Sequence, residues 1–149
     1  FPNVGKSTLI NKLTGTKAKI ASYSFTTKSV NCGFLDGKSS KDETAIQVLD
    51  VPGTLARKEK MNLIELQAEL VLEELANLVV YVFDATETFS LEEQTKLYQK
   101  AKKKRPTIAF LSKQDILTKE QLASFSKIHP DIKIISHEEL RDQILSRRR

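Results

Sequence analysis

The fold of this 149-residue chain is decided by its first eight residues, FPNVGKST (residues 1–8). The run matches a phosphate-binding loop in all but its first glycine, which would stand directly before Phe1. In such a loop, consecutive backbone N–H groups and the N-terminus of the next helix converge on phosphate oxygens. Lys6 adds a positive charge at the outer phosphates, and the Ser7 hydroxyl is a magnesium ligand. The stretch therefore predicts a site for a nucleoside triphosphate with Mg²⁺.

The other residues of the loop are expected to line the same nucleotide. Gly5 lets the backbone approach the phosphates, which a bulkier side chain would prevent. Asn3, Val4 and Thr8 complete the predicted contacts within the loop. The alternative is a chance match, which the motifs further along the chain disfavour.

The start of the chain suggests a truncation. A phosphate loop leaves the end of a buried parallel strand, and no residues precede Phe1 to form that strand. We therefore expect a fragment of a longer protein, cut inside the phosphate loop and marginally stable alone, because neighbouring strands lose their pairing. A start codon directly before Phe1 would contradict this expectation.

Length and composition predict one domain over residues 1–149, since 40% hydrophobic content is enough for a single core. The sequence has neither an apolar run long enough to cross a bilayer nor a signal peptide. We therefore expect a soluble, intracellular, monomeric protein with no membrane partner. The lone Cys32 is expected to be a small buried residue in a strand.

Apolar runs alternate with helical patterns, which predicts an α/β fold with a mostly parallel sheet and helices on both faces. Strands are predicted at residues 30–35, 45–49, 78–83, 107–111 and 132–135, the first two forming a hairpin. Helices are predicted from the phosphate loop to Gly15, over 62–76, from a capping box at Ser90 to Lys104, from Thr118, and over 138–147.

A second motif, DVPG (residues 50–53), ends the predicted strand 45–49. An acid at Asp50 can hold Mg²⁺ through a water, and the backbone N–H of Gly53 can bind the γ-phosphate. Taken alone, the same four residues make a good turn. After a phosphate loop and a strand, they indicate a site that senses the terminal phosphate.

A third motif, SKQD (residues 112–115), follows the predicted strand 107–111. The Asp115 carboxylate can accept hydrogen bonds from guanine N1–H and the exocyclic amine, a pairing that adenine does not offer. Ser112, where Asn or Thr is usual, and Lys113 complete this predicted base-binding loop. Ser136 follows the last predicted strand, where a contact to the guanine carbonyl is expected, although His137 replaces the usual alanine.

These motifs in this order are typical of translation-factor-type GTPases, and further stretches resemble the Nog family of ribosome-assembly GTPases, relatives of the Obg proteins. The resemblance runs through residues 1–7, 24–28, 46–53, 67–68, 75–76 and 91–94. The stretch FTTK (residues 25–28) is the most specific feature, because other Obg relatives usually have a hydrophobic residue after the two threonines, whereas Lys28 is similar to the Nog pattern.

The resemblance implies a P-loop GTPase domain that acts in assembly of the large ribosomal subunit, with a helical domain before it in the parent protein. It also implies that Thr27 is the switch threonine on Mg²⁺ and the γ-phosphate, with Thr26 as the alternative. We expect the protein in the cytoplasm, or in the nucleolus if its source is eukaryotic.

Hydrolysis is expected to be slow, because Thr54 stands where Ras-type enzymes have the water-orienting glutamine. Asn3 resembles the asparagine of GTPases that bind K⁺ in place of an arginine finger; the alternative is that it caps the loop. The predicted catalytic set is Asn3, Lys6, Thr27 and Gly53. A non-hydrolysing scaffold on ribosomal precursors is the rival hypothesis, and ATP is a third possibility that Asp115 disfavours.

The net charge of +5 includes basic clusters at residues 102–105 and 147–149. Such clusters are natural contacts for rRNA or a pre-ribosomal particle. Equally, the first can complement a helix end and the second is a solvated terminus. His129 and His137 show no zinc-ligand spacing and are expected to be surface or loop histidines.

Overall fold

The computed structural model describes residues 5–14, 19–21, 30–35, 45–51, 63–86 and 89–147. In chain order the elements are α1 (Lys6–Thr14), β1 (Lys19–Ala21), β2 (Val30–Leu35), β3 (Ile46–Asp50), α2 (Leu63–Leu70), a π-helical segment (Val71–Leu75), β4 (Val79–Phe83), α3 (Leu91–Lys104), β5 (Thr107–Leu111), α4 (Lys119–Ile128) and α5 (His137–Ser146). They fall into two compact units, residues 1–5 with 53–135, and residues 6–52 with 136–149.

The unit formed by residues 6–52 and 136–149 contains an antiparallel sheet in the order β1-β2-β3. The predicted hairpin is confirmed: β2 and β3 pair from Leu35 opposite Ile46 to Asn31 opposite Asp50. Its predicted turn at Asp36 lies outside the described residues. Sequence analysis did not predict β1, because three residues are too few to show a period-two pattern.

Helix α1 packs closely on β2 in the same unit. The apolar face of α1 is buried: Leu9, Ile10 and Leu13. A Cβ atom at Gly33 of β2 would lie 2.6 Å from Cγ2 of Thr14, so this approach needs a residue without a side chain. Cys32 is buried in β2, as expected.

The other unit is built on a parallel pair, β4 and β5, in register from Val79 opposite Thr107 to Phe83 opposite Leu111. Both strands were predicted within one residue of their observed ends. A cluster of buried side chains fills the space between this pair and helices α3 and α4: Phe83, Ala85, Tyr98, Leu111 and Phe125. The pair ends at the edge that carries Asp84 and Ser112.

The helix predicted over residues 62–76 changes winding partway along. Ala68 and Val71 are buried, but Leu75, which a regular α-helix would place near the same face, is 43% exposed. The backbone N–H of Ala76 donates to the carbonyl of Val71, an i to i+5 hydrogen bond that marks a π-helical turn. A wider turn rotates the residues after it around the axis, so the 3.6-residue period places Leu75 on the wrong face.

The N-terminal caps follow the sequence closely. Thr118 and Gln121 form a capping box at α4, as do Ser136 and Glu139 at α5. At α3, the Ser90 hydroxyl accepts from the Glu93 N–H as predicted, while the Glu93 carboxylate accepts from that hydroxyl. Short polar side chains therefore fix where these three helices begin.

The predicted strand 132–135 is wrong, since these residues belong to no strand in the described part of the chain. The apolar pattern reports burial correctly, because Ile135 is only 3% exposed. However, the Ile135 carbonyl accepts a hydrogen bond from Nε2 of Gln114 at 2.8 Å. The Gln114 side chain thus donates the hydrogen bond that the backbone of a neighbouring strand would donate in a sheet.

His129 was predicted to be a surface or loop histidine; it directly follows α4 outside any helix or strand, but it is buried, so the surface alternative is wrong. It is 4% exposed and contacts the rings of Phe83 and Phe125, with centroid distances of 5.0 and 5.1 Å. Its Nε2 lies 2.9 Å from Oγ1 of Thr95, whose hydroxyl donates to the carbonyl of Leu91. Because a hydroxyl has one proton, His129 is the donor at Nε2.

Acid is expected to lower the free energy of unfolding through His129. Burial lowers the pKa of this imidazole, and the negative charge of Asp131 has the smaller, opposite effect of raising it. Below the ordinary histidine pKa of about 6.5, and above the lowered pKa in the folded chain, His129 is protonated in the unfolded chain and neutral in the folded chain. Stability should therefore fall as the pH drops from about 6.5 toward the lower folded-state pKa.

Denaturant titration at several pH values, with His129→Gln and His137→Gln variants, checks this prediction. His129→Gln should remove most of the pH dependence in that window, whereas His137→Gln should keep it. An unchanged pH slope in a folded His129→Gln variant would contradict the assignment.

Candidate nucleotide-binding site

The predicted phosphate and magnesium residues meet at the start of α1. Lys6 and Ser7 are the first residues of that helix, where backbone N–H groups have no intrahelical partners. Asp50 is the last residue of β3, and its carboxylate accepts a hydrogen bond from the Ser7 hydroxyl. The structure thus brings together three predicted residues from two separate motifs, with Thr8 exposed beside them.

The ammonium group of Lys6 lies in a partly buried position. Burial lowers the pKa of Lys6 from its ordinary value, and the nearby charge of Asp50 opposes that change. A charge shielded from bulk water interacts more strongly with an incoming anion. The partial burial of Lys6 is consistent with the predicted phosphate contact, which stays a prediction.

The paired oxygens of Ser7 and Asp50 fit a magnesium ion. Mg²⁺ prefers hard oxygen ligands and usually takes one or two carboxylates, several waters and substrate phosphates. Ser7 is exposed and Asp50 partly exposed, so both oxygens can be reached from solvent. These two residues would hold the ion.

Gly5 adopts a left-handed backbone conformation, with φ at +92°. A Cβ atom built at this position would lie 3.7 Å from Cβ of Ser112, an ordinary contact, so this neighbour does not require glycine. The positive φ does favour it, because L side chains rarely adopt that conformation. The backbone conformation is thus a second reason for glycine at this position, beside the close approach to phosphates that the motif predicts.

The predicted base-binding loop is anchored at the ends of β4 and β5. The backbone N–H and the hydroxyl of Ser112 both donate to the carbonyl of Phe83, at 2.9 and 3.0 Å. Nε2 of Gln114 donates to the carbonyls of Leu111 and Ile135. Asp115 is exposed. The loop is therefore held through its other residues, which leaves the Asp115 carboxylate accessible.

Lys113 contacts a residue that sequence analysis missed. Its Nζ lies 2.6 Å from Oδ2 of Asp84, a side chain that is only 1% exposed. One signal could have identified Asp84: it directly follows a buried strand, at the carboxyl edge where α/β proteins bind ligands.

Ser136 caps helix α5. Its hydroxyl accepts from the Glu139 N–H at 3.1 Å, and its own N–H donates to the Glu139 carboxylate at 2.8 Å. The hydroxyl thus already has a structural function, and the predicted guanine contact of this residue stays a prediction.

Several predicted site residues lie outside the described residues: Asn3, Val4, Thr26, Thr27 and Gly53. The potassium, switch and γ-phosphate assignments depend on them and stay predictions.

The basic cluster 102–105 is partly engaged within the protein. Nζ of Lys104 lies 2.7 Å from a carboxylate oxygen of Glu69 and also pairs with Glu73. These hydrogen bonds raise the pKa of Lys104, and the one to Glu69 has the larger effect. Arg105 donates to the backbone carbonyl of Glu73. Lys102 and Lys103 are the exposed members of the cluster.

Within the described ranges, no helix combines the length and apolar character that crossing a membrane requires.

Comparison with known proteins identifies relatives of this chain. A family model described as 50S ribosome-binding GTPase matches residues 1–113. Nucleolar GTP-binding protein 1 of Drosophila melanogaster is 43% identical over 128 residues, which cover 82% of this chain and 19% of that protein. An uncharacterized protein of Methanocaldococcus jannaschii is 42% identical over 127 residues, covering 82% of this chain and 34% of that protein. The chain thus matches a minor part of each relative's length.

Solved structures give the same fold. The cytosolic domain of the Thermotoga maritima FeoB iron transporter in its GMPPNP form has a TM-score of 0.73 and 25% identity, covering 97% of this chain and 60% of that one. Aquifex aeolicus Era bound to GDP.AlF4- has a TM-score of 0.66 and 31% identity, covering 97% and 53%. The predicted α/β fold of a P-loop GTPase is confirmed, and so is the resemblance to the Nog family. The chain belongs to the 50S ribosome-binding GTPase family.

Proposed function

We propose that this chain binds guanine nucleotides with Mg²⁺, hydrolyses GTP slowly, and acts as a nucleotide-controlled switch in assembly of the large ribosomal subunit. The observation that carries the proposal is the hydrogen-bonded pair of Ser7 and Asp50 beside Lys6, at the start of α1. The ribosomal part is supported by the matching family, described as 50S ribosome-binding GTPase, and by a relative named nucleolar GTP-binding protein 1. The nucleotide part is supported by an Era structure that contains MgGDPNP.

Each residue has a distinct task in this proposal. Lys6 and the N-terminus of α1 neutralise phosphate charge and orient the triphosphate for attack by water. Ser7 directly and Asp50 through a water would hold Mg²⁺, and the ion would supply stabilisation of negative charge on the phosphate oxygens. Asp115 selects guanine through two hydrogen bonds. Thr27 and Gly53 contact the γ-phosphate and release it after hydrolysis, which makes the switch.

A titration with labelled GTP, GDP and ATP in the presence of Mg²⁺, followed by single-turnover hydrolysis, tests the proposal. We expect binding of the two guanine nucleotides only, and release of phosphate on a scale of minutes or longer, because no glutamine follows Gly53. Guanine binding without any turnover would instead support a non-hydrolysing scaffold. Absence of guanine-nucleotide binding at micromolar concentrations would overturn the proposal.

Potassium is expected to accelerate hydrolysis if Asn3 helps to bind it. A cation beside the transferred phosphoryl group can substitute for an arginine finger, so turnover should be at least about tenfold faster in KCl than in NaCl. An Asn3→Ala variant should lose this difference while it still binds GDP. Equal rates of the unmodified protein in the two salts would exclude a potassium role.

A further inference from the structure

The predicted base-binding loop depends on a carboxylate outside every recognised motif. Asp84 directly follows β4, and its side chain is only 1% exposed. Its Oδ2 accepts from Nζ of Lys113 at 2.6 Å, and its Oδ1 accepts from the N–H and hydroxyl of Thr86. Both carboxylate oxygens therefore have fixed donors, and one of those donors is the lysine of the 112–115 motif.

A second buried side chain fixes the backbone of Asp84. Gln94 of α3 is fully buried, and its Oε1 accepts from the Asp84 N–H at 2.8 Å. Its Nε2 donates to the carbonyls of Asp84 and Phe89, at 2.7 and 3.1 Å. Because the main chain at Asp84 is held on both its N–H and its carbonyl, the carboxylate has a defined position from which to hold Lys113.

Lys113 has a backbone conformation that needs support. Its φ is +54°, in the left-handed region that residues other than glycine and asparagine rarely adopt. Such a conformation persists where surrounding contacts enforce it, and these conformations cluster at ligand sites. The ion pair with Asp84 supplies a contact of this kind two residues before Asp115.

We infer that Asp84 is a positioning residue for guanine recognition: through Lys113 it fixes the loop that presents Asp115 to the base. This inference rests on the proposed guanine-nucleotide function and extends it to a residue that does not itself contact the base. Burial of the Asp84 carboxyl opposes ionisation, but the hydrogen bonds from Lys113 and Thr86 outweigh it and hold its pKa below the ordinary value. The carboxylate therefore stays charged at neutral pH.

The ratio of GDP to IDP affinity is the informative measurement. Hypoxanthine lacks the exocyclic amine, so IDP makes one hydrogen bond to a well-placed Asp115 carboxylate where GDP makes two. Loss of loop position should reduce this ratio, whereas a general loss of stability would weaken both nucleotides alike. Asp84→Asn keeps the size of the side chain and removes its charge, and Asp142→Asn, on the exposed side of α5, is the matched control.

We expect Asp84→Asn to bind GDP about tenfold more weakly and to lose most of the preference for GDP over IDP, while Asp142→Asn keeps both. In a Lys113→Met background, Asp84→Asn should change the GDP affinity less than about twofold, because its effect acts through that lysine. Circular dichroism checks the fold of each variant. If Asp84→Asn does not fold, Asp84→Glu takes its place, since the longer side chain keeps the charge but displaces it.

The outcomes separate this inference from the proposed function. If the unmodified protein binds no guanine nucleotide, the proposed function fails and the inference fails with it. If that protein prefers GDP and the folded Asp84 variant has the same preference, only the inference is overturned. An equal loss of affinity with and without Lys113 would also overturn it, since Asp84 would then act by another route.

Discussion

Replacing Lys6 with alanine is expected to weaken GTP binding about 100-fold and to abolish measurable hydrolysis, because hydrogen bonds from a charged donor to phosphate oxygens are lost. Lys6 lies partly buried at the first position of α1, beside Asp50. Without its ammonium group, the Asp50 carboxylate would face the triphosphate with less positive charge between them. The lost hydrogen bonds and the repulsion between Asp50 and the triphosphate therefore both weaken GTP binding.

Calorimetric titration with GTP and a phosphate-release assay measure the effect of Lys6→Ala. Lys12→Ala is the matched control, since Lys12 lies on the same helix and is exposed. The control should bind and hydrolyse GTP like the unmodified protein. A Lys6→Ala variant with unchanged GTP affinity would show that the nucleotide binds elsewhere.

The grouping of Lys6, Ser7 and Asp50 at the start of α1 was predictable because its information is local. A phosphate loop, a helix start and a strand end are each defined by a few consecutive residues, so Lys6, Ser7 and Asp50 could be placed from the sequence. The hairpin of β2 and β3 brings the two segments together, and its strands also showed a clear apolar pattern. The start of α4 at Thr118 was equally local, whereas Ser136 was predicted to contact guanine and not to cap α5.

The features that sequence analysis missed depend on distant contacts. Asp84 and Lys113 are 29 residues apart, and Thr95 and His129 are 34 apart. A single sequence does not show which of many acids or histidines will become buried against such a partner. The strand predicted at 132–135 failed for the same reason, because an apolar pattern reports burial and leaves open what the backbone bonds to.

Asp115→Asn is expected to reverse the base preference of the protein. Guanine presents two donors, N1–H and the exocyclic amine, to this carboxylate, and the asparagine amide would place its own NH₂ donors against them. Loss of two charge-assisted hydrogen bonds should weaken GDP binding roughly 100- to 1,000-fold. Xanthine has a carbonyl where guanine has the amine, so it can accept from the amide, and XDP should bind the variant better than GDP does.

Competition of GDP and XDP for the variant and the unmodified protein measures this reversal, with Glu120→Gln on the exposed surface of α4 as the control. Because Asp115 is itself exposed, the substitution should leave the unfolding midpoint unchanged, so a change in affinity reports recognition rather than folding. Equal losses for GDP and XDP would contradict the predicted reversal, because the substitution would then weaken binding regardless of the base. Retained GDP affinity would remove the carboxylate from guanine recognition and leave Ser136 as the predicted contact to test.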